Sequence, residues 1–353
     1  MSFTGSAKVS PALTAGFQVV IAVTSGSRSH QVNQLDDDAG GVPAGGDTDI
    51  VMTLGNWYLD HKSLGRLTVG RANTSTAGLS TIDLGGAGVS ANASIGYWNR
   101  GFIATGTLGP FDVNSAANGW SHLLGGNAVN GASLSRANVV KYDSPVFGGF
   151  SVSGSWGEDN EWDAALRYAG EFSGFRIAAG LGYRFNYNGL GEFTRDNPGV
   201  NGAEPEQLIA SGSILHVSSG LFLTGAYINQ DNDTAGRDDT TLWYGQAGIS
   251  KNWTGLGKTV LYGEYARVEG GADNFSNNGQ IVVFGPPAAG TNPSGVPAVD
   301  STAQMWGLGV VQHIDAAAME VFLSYRRYSA ELDIGGLDIN DMDMVVGGAR
   351  IRF

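Results

Sequence analysis

Apolar and polar residues alternate along the chain with a period of two, in stretches of about ten residues that turn-forming residues separate. The clearest example begins at residue 161. Trp162 and Leu166 share one face of the predicted strand, whereas Arg167 and Glu171 share the other. Because the side chains of a strand point alternately to opposite sides, this pattern predicts a strand with one apolar and one polar face.

A second strand of the same kind follows the tight turn at 173–174. Phe175 and Leu181 lie on its apolar face, and Arg176 and Arg184 lie on the opposite face. Together the two segments predict an antiparallel β-hairpin over 161–185. An apolar sheet face packs in a soluble core or contacts lipid, so alternation alone leaves both a soluble β-sandwich and a membrane β-barrel open.

The connections between predicted strands alternate in length. Short turns occur near 10–14, 60–64, 143–149, 173–174, 218–220, 253–257 and 314–317. Longer loops, mostly acidic or rich in glycine and proline, occur at 26–48, 72–135, 186–206, 230–238, 269–300 and 330–340. Outer-membrane barrels have short periplasmic turns and longer extracellular loops. This asymmetry favours an all-β, transmembrane antiparallel β-barrel, although the short connection at 158–160 departs from it.

Aromatic residues recur at the short turns, namely Phe147, Phe150, Phe172, Phe175 and Trp253. In a barrel such rings form girdles at the membrane interface, whereas in a soluble protein each ring caps a core. The last strand alternates as well, with Val345 and Ile351 on the face of the terminal Phe353. Arg350 and Arg352 take the other face. A terminal aromatic residue on such a strand resembles the C-terminal signal that barrel-assembly machinery reads, and it favours the membrane interpretation.

About fifteen strands are predicted if 72–135 is an inserted loop, and all of them fit one domain over 1–353. A barrel with both termini in the periplasm has an even number of strands, so one strand is predicted to be missing. The chain also shows no secretory signal, because Met1 leads directly into strand-like sequence. We therefore expect that a signal was removed or that the start is truncated.

Composition excludes several classes of protein. The net charge of −13 provides no basic patch for nucleic acid. The absence of cysteine excludes disulfides and thiolate metal sites. No apolar run reaches the roughly 18 residues that a transmembrane helix needs. The five histidines lack metal-ligand spacing, and no serine lies in a nucleophile motif, so the sequence predicts no enzyme, no metal and no cofactor.

Several segments resemble general bacterial porins of Gram-negative bacteria, particularly the alphaproteobacterial type. They are KYDSPVFGGFSVSGSW at 141–156, FTGSAK at 3–8 with AGF at 15–17, WY at 57–58 with LGRLTVGR at 64–71, and LYGEY at 261–265, together with Phe353. The resemblance implies a sixteen-stranded barrel in the cell outer membrane, usually a homotrimer among lipids and lipopolysaccharide. It also implies that the third loop, about 72–135, folds into the lumen. The expected function is passive diffusion of small hydrophilic solutes and ions.

The alternation itself indicates which charged residues face the lumen. They are Arg167, Glu171, Arg176, Arg184, Glu264, Arg326, Arg350 and Arg352. The resemblance further implies a transverse field at a constriction, with Arg71 and Arg136 on the wall and Asp83 and Asp112 on the loop. Arg71 shares the alternation of Leu67, so it points inward only if the alternation is interrupted. Two alternatives stay open: a substrate-selective channel of the same architecture, and a soluble secreted β protein or adhesin.

Overall fold

A single antiparallel sheet dominates the structure. The structure is a computed structural model, and it describes residues 1–24, 49–96, 98, 102, 104–106, 109–110, 120–125, 136–157, 161–185, 206–231, 239–270, 280–281, 296–297, 300–333 and 338–352. Its strands are β1 Ser2–Lys8, β2 Leu13–Thr24, β3 Asp49–His61, β4 Gly65–Asn73, β5 Arg136–Asp143, β6 Phe150–Gly157, β7 Trp162–Phe172, β8 Phe175–Phe185, β9 Glu206–His216, β10 Leu221–Asp231, β11 Thr240–Lys251, β12 Thr259–Glu269, β13 Ser301–Ile314, β14 Met319–Leu332 and β15 Met342–Ile351. Each strand pairs with its neighbour in the chain. The predicted count of fifteen strands and the all-β class are confirmed.

Helical structure is confined to short turns in the described part of the chain. One α-helical turn spans Trp120–Leu123, and 3₁₀ turns span Leu79–Thr81 and Asp315–Ala317. Two pairs of two-residue strands, Thr105–Gly106 with Gly109–Pro110 and Gln280–Ile281 with Val296–Pro297, stand apart from the main sheet. Among the described residues, no helix has the length and apolarity needed to cross a membrane.

The hairpin predicted over 161–185 forms as β7 and β8. Leu166 pairs with Leu181 and Glu171 with Arg176, so the apolar rows of the two strands coincide. The turn residues Ser173 and Gly174 have φ of 49° and 80°. Positive φ at both central positions is the geometry of a type I′ turn, whose twist matches that of paired strands. Each strand has eleven residues, and about 9–11 residues cross a bilayer in a tilted strand.

The two faces of the sheet have opposite character. The outer face, defined by the rows of Trp162, Leu181 and Leu323, exposes large apolar side chains on nearly every strand. The inner face, defined by the rows of Asp163 and Glu264, carries polar and charged residues as well as the buried core. Soluble proteins rarely expose apolar patches larger than a few hundred Å². This inverted arrangement is that of a sheet whose outer face contacts lipid.

The first and last strands of the sheet run in the same direction. β1 leads into the short turn before β2, and β15 ends at Ile351, which pairs with Met319 after another short turn. Within the described residues each of these strands pairs on one side only, so the sheet is not closed. Antiparallel closure between them requires a further strand, because an odd number of meandering strands leaves both edges parallel.

Candidate pore and its inner loop

Residues 74–96, which we call the inner loop, lie against the inner face of the sheet. Leu79 of the 3₁₀ turn packs over Gly180 and Gly182 of β8. A Cβ atom at either glycine would collide with the Leu79 side chain. The small residues on this face therefore make room for the loop, whereas alternation alone would place them beside open water. The predicted inward folding of the third loop is confirmed for this segment.

The start of the inner loop binds to the carboxylate of Asp163 on β7. Asp163 Oδ1 accepts from Ser75 N at 3.0 Å and from the Ser155 hydroxyl. Asp163 Oδ2 accepts from Thr76 N and from Thr76 Oγ1, each at 2.7 Å. A buried carboxylate is stabilised when donors saturate it, so this aspartate is a fixed attachment for the loop.

Arg167, one of the predicted lumen residues, also binds the start of the inner loop. Its Nη2 atom donates to the carbonyl oxygens of Ser75 at 2.6 Å and Ala77 at 3.1 Å. Its Nη1 atom donates to Ser153 Oγ at 3.1 Å. Arg167 thus lies on the inner face and binds carbonyl groups at the start of the inner loop.

The middle of the inner loop is held by β9 and β13. The Ser211 hydroxyl donates to the carbonyl of Leu79, and Leu84 N donates to Ser213 Oγ at 3.0 Å. His313 Nε2 lies 2.9 Å from the Gly86 carbonyl oxygen. Because a carbonyl oxygen only accepts, this hydrogen bond requires the proton to be on Nε2.

The end of the inner loop covers an ion pair on the inner face. Arg326 Nε donates to Glu264 Oε1 at 2.7 Å, and Arg326 Nη2 donates to the Ser90 carbonyl at 2.7 Å. Tyr244 donates to Glu264 Oε2 at 3.0 Å, and the Ser90 and Tyr262 hydroxyls lie 2.8 Å apart. The side chains of Arg326 and Glu264 are 1% and 0% exposed. Both point inward, as the alternation predicts, but the loop separates them from solvent.

Asp83, predicted as an acidic group on the loop, binds the loop's own backbone. Its Oδ1 atom accepts from Gly85 N at 2.7 Å, and its Oδ2 atom accepts from Gly86 N at 3.1 Å and Gly88 N at 2.8 Å. This carboxylate therefore shapes the turn after the 3₁₀ helix. The other predicted loop acid, Asp112, lies outside the described residues, as does Phe353.

The remaining predicted arginines occupy different positions. Arg184 is buried on the inner face, with Nη2 3.8 Å from Glu161 Oε1 and Nη1 3.5 Å from Gln207 Oε1. Arg71 pairs with Asn138 and Arg136 with Asn73, in rows that belong to the outer face. Strand pairing is continuous there, so the interruption of alternation that Arg71 would need does not occur.

Charged pairs line the inner face near its short turns, where the described part of the inner loop does not cover them. The pairs are Asp60 with Arg66 at 2.6 Å, Asp143 with Lys141 at 3.2 Å, Glu171 with Arg176 at 2.8 Å, and Glu320 with Arg350 at 2.6 Å and Arg352 at 3.5 Å. Sequence reasoning found Glu171 and the arginines on β8 and β15. It missed the residues of β3 to β5 and Glu320. The pairs that join two strands, Asp60 with Arg66 and Glu320 with Arg350, become visible only once the register is known.

A cavity of about 730 Å³ lies between the inner loop and strands β14 and β15. Its lining includes Asp83, Asn92, Trp98, Glu320, Arg350 and Arg352. The inner loop contributes short polar side chains, such as Asn92, to the cavity wall. Strands β14 and β15 contribute the charged side chains of Glu320, Arg350 and Arg352. An opening with polar groups on both sides is suited to solutes that exchange hydrogen bonds with water.

Solved structures of outer-membrane porins are similar to this fold. An anion-selective porin from Comamonas acidovorans is 16% identical, with a TM-score of 0.56, and the match covers 100% of this chain and 88% of that one. A loop deletion mutant of OmpT from Vibrio cholerae is 13% identical, with a TM-score of 0.53, and covers 99% and 89%. OmpF from Salmonella typhi in complex with daunomycin is 13% identical, with a TM-score of 0.51, and covers 99% and 88%. At these identities the likeness concerns the fold alone.

Family membership rests on the sequence. No curated protein matches the chain. The family model described as Gram-negative porin matches residues 2–333, which is nearly the whole chain. The chain therefore belongs to the Gram-negative porin family.

Proposed function

We propose that small hydrophilic solutes and ions diffuse along the inner face of the sheet, past the inner loop. As a Gram-negative porin, the chain is an outer-membrane pore for passive diffusion, and its family and fold are those of a channel rather than an enzyme. The proposed path rests on one observation: the sheet has apolar residues on its outer face and ion pairs on its inner face.

The paired charges near the short turns explain how such a path selects its solutes. Each pair holds a positive and a negative group a few ångströms apart, so water between them is oriented by the local field. A polar solute replaces the hydrogen bonds that this water loses, whereas an apolar solute does not. We assign this role to Glu171 with Arg176 and to Glu320 with Arg350.

The inner loop narrows this path as a fixed part of the wall. Its contacts with Asp163, His313 and Arg326 are distributed along its whole length. Opening such a loop would exchange several of these hydrogen bonds for bonds to water at once, at a net cost of about 0.5–1.5 kcal/mol for each bond. We therefore assign Arg167, Glu264 and Arg326 to holding the loop and not to direct contact with solutes.

Planar-bilayer recording of the folded chain tests this proposal. We expect stable current steps that rise linearly with voltage, because a water-filled path with a fixed loop has constant width. A chain that is folded in detergent micelles but gives no conductance would contradict the proposal. Full solubility without detergent would favour the soluble β protein instead.

The proposal includes a homotrimer in contact with outer-membrane lipids and lipopolysaccharide. An OmpT structure from Vibrio cholerae is described as a trimer form, and it shares this fold at 13% identity and a TM-score of 0.51. The exposed apolar rows, such as those of Phe17 and Trp57, provide surface for other copies or for lipid. The alphaproteobacterial type, which the segment at 141–156 resembles, is part of the same proposal. Conductance steps in groups of three and a threefold mass in detergent would support the trimer.

A further inference from the structure

The end of the cavity at β14 and β15 carries more positive than negative charge. Glu320 Oε2 accepts from Arg350 at 2.6 Å and 2.7 Å, and Arg352 lies 3.5 Å from Oε1 of the same carboxylate. His313 Nδ1 is a third neighbour, 3.6 Å from Oε1. One carboxylate thus faces two guanidinium groups, which leaves a formal excess of one positive charge.

The two guanidinium groups keep donors available for a ligand. Each arginine has five N–H donors, and a carboxylate offers about four acceptor positions, so Glu320 does not saturate both groups. The side chains of Arg350 and Arg352 are 44% and 66% exposed. Exposed donors of this kind bind carboxylates through paired, charge-assisted hydrogen bonds.

Beside these donors the cavity has an aromatic surface. The rings of Trp98 and Phe322 lie with their centroids 5.6 Å apart, and both residues line the cavity. Gly347 and Gly348 line it as well and add no side chain that would fill the space. The volume of about 730 Å³ lies within the range of small-molecule sites.

We propose that this cavity is a binding site for a small organic anion that joins a carboxylate to a flat apolar body. The carboxylate pairs with Arg350 and Arg352, and the apolar body lies against Trp98 and Phe322. The site rests on the proposed function insofar as a solute reaches it through the pore. It makes the channel partly substrate-selective, because such an anion binds on its way through, whereas an uncharged sugar lacks the carboxylate that pairs with the two arginines.

Equilibrium dialysis of benzoate against the folded protein in detergent micelles tests the site without requiring conduction. We expect saturable binding that is weaker for acetate, which lacks the ring, and for benzyl alcohol, which lacks the charge. Arg352 lies at an exposed strand end. Its replacement by glutamine, alone or together with Arg350→Gln, removes the guanidinium charge and its paired donors. The double variant is expected to lower benzoate affinity about tenfold or more, because it removes the charge-assisted hydrogen bonds to the carboxylate.

Arg66→Gln is the matched control, since it removes an inward-facing, 44% exposed arginine of β4 that pairs with Asp60 of β3. We expect it to leave benzoate binding unchanged. Equal affinity in the wild type and the double variant, or equal binding of acetate and benzoate, would overturn the site. Benzoate binding by a protein that does not conduct would leave the site intact and contradict the pore. Conduction without saturable benzoate binding would overturn the site alone.

Discussion

Replacing Asp163 with asparagine tests whether the start of the inner loop is fixed to the sheet. In the wild type each carboxylate oxygen accepts one backbone N–H and one hydroxyl. An asparagine amide replaces one oxygen with an NH₂ group in either orientation. That group then faces either the N–H of Thr76, which loses its acceptor, or the N–H of Ser75, which keeps Ser155 Oγ at 3.1 Å as a second acceptor. The facing hydroxyl can rotate to accept, but the backbone amide cannot.

The free energy lost on substitution follows from the hydrogen bonds that the carboxylate accepts. When the NH₂ group faces Ser75, every backbone N–H keeps an acceptor, so the cost comes from the lost hydrogen bond between Ser75 N and the carboxylate and from the lost charge assistance in the remaining bonds. We expect Asp163→Asn to weaken the attachment of the loop start by about 1.5–3 kcal/mol, the contribution of a hydrogen bond to a charged group. The contacts of Arg326 at the other end remain, so the loop loosens at one end without detaching.

Two measurements detect this loosening. Single-channel recordings are expected to show larger and noisier current, and limited proteolysis is expected to cut the inner loop faster. Glu171→Gln is the control, because it removes an acid from the same face of β7 whose partner Arg176 is half-exposed, and such pairs contribute about 0–1 kcal/mol. Wild-type noise and protease resistance in Asp163→Asn, or an equal change in both variants, would refute the fixed attachment.

Three further substitutions address the faces of the sheet and the buried pair. Leu181→Arg places a charge on the outer face and is expected to cost about 2–4 kcal/mol in reversible unfolding from lipid vesicles. Gly182→Leu, one residue along, is expected to displace Leu79 and to disturb the channel current, whereas tolerance would contradict the loop packing. Arg326→Met leaves the charge of Glu264 buried without its partner, which costs about 3–5 kcal/mol, and adding Glu264→Gln is expected to restore most of the stability.

The alternation in the sequence predicts the strands and their faces because both are local properties. The segment over β7 and β8 shows this directly: Leu166 and Leu181 were expected on one face and Arg167 on the other, and the pairing agrees. The sheet is built almost entirely from neighbours in the chain, so each hairpin contains most of the information that it needs.

What covers the inner face is a tertiary property, and the sequence did not predict it in detail. The alternation places Gly182 on the same face as Arg176 and Arg184, but this glycine lies beneath Leu79, a residue far away in the chain. Glu264 and Arg326 alternate as lumen residues do, yet they are buried under Ser90. No local pattern distinguishes an inward residue that faces water from one that a loop covers.

The covered ion pairs also bear on ion preference, because a pair that solvent does not reach contributes little net field to the path. The paired groups on the inner face near the short turns comprise five bases and four acids, namely Arg66, Lys141, Arg176, Arg350, Arg352, Asp60, Asp143, Glu171 and Glu320. This excess of positive charge occurs in a chain whose net charge is −13. The inner path is therefore expected to favour anions more than the composition of the whole chain implies.

Reversal potentials in a salt gradient measure this preference, at ionic strengths near or below 0.1 M, where the screening length is about 10 Å. Replacing both Arg350 and Arg352 with glutamine turns an excess of one positive charge into an excess of one negative charge. We expect the reversal potential to shift toward cation preference. The double variant Glu171→Gln with Arg176→Gln removes one charge of each sign and is expected to leave the potential unchanged. A potential that responds equally to both pairs of substitutions would mean that the charge balance of this face does not control permeation.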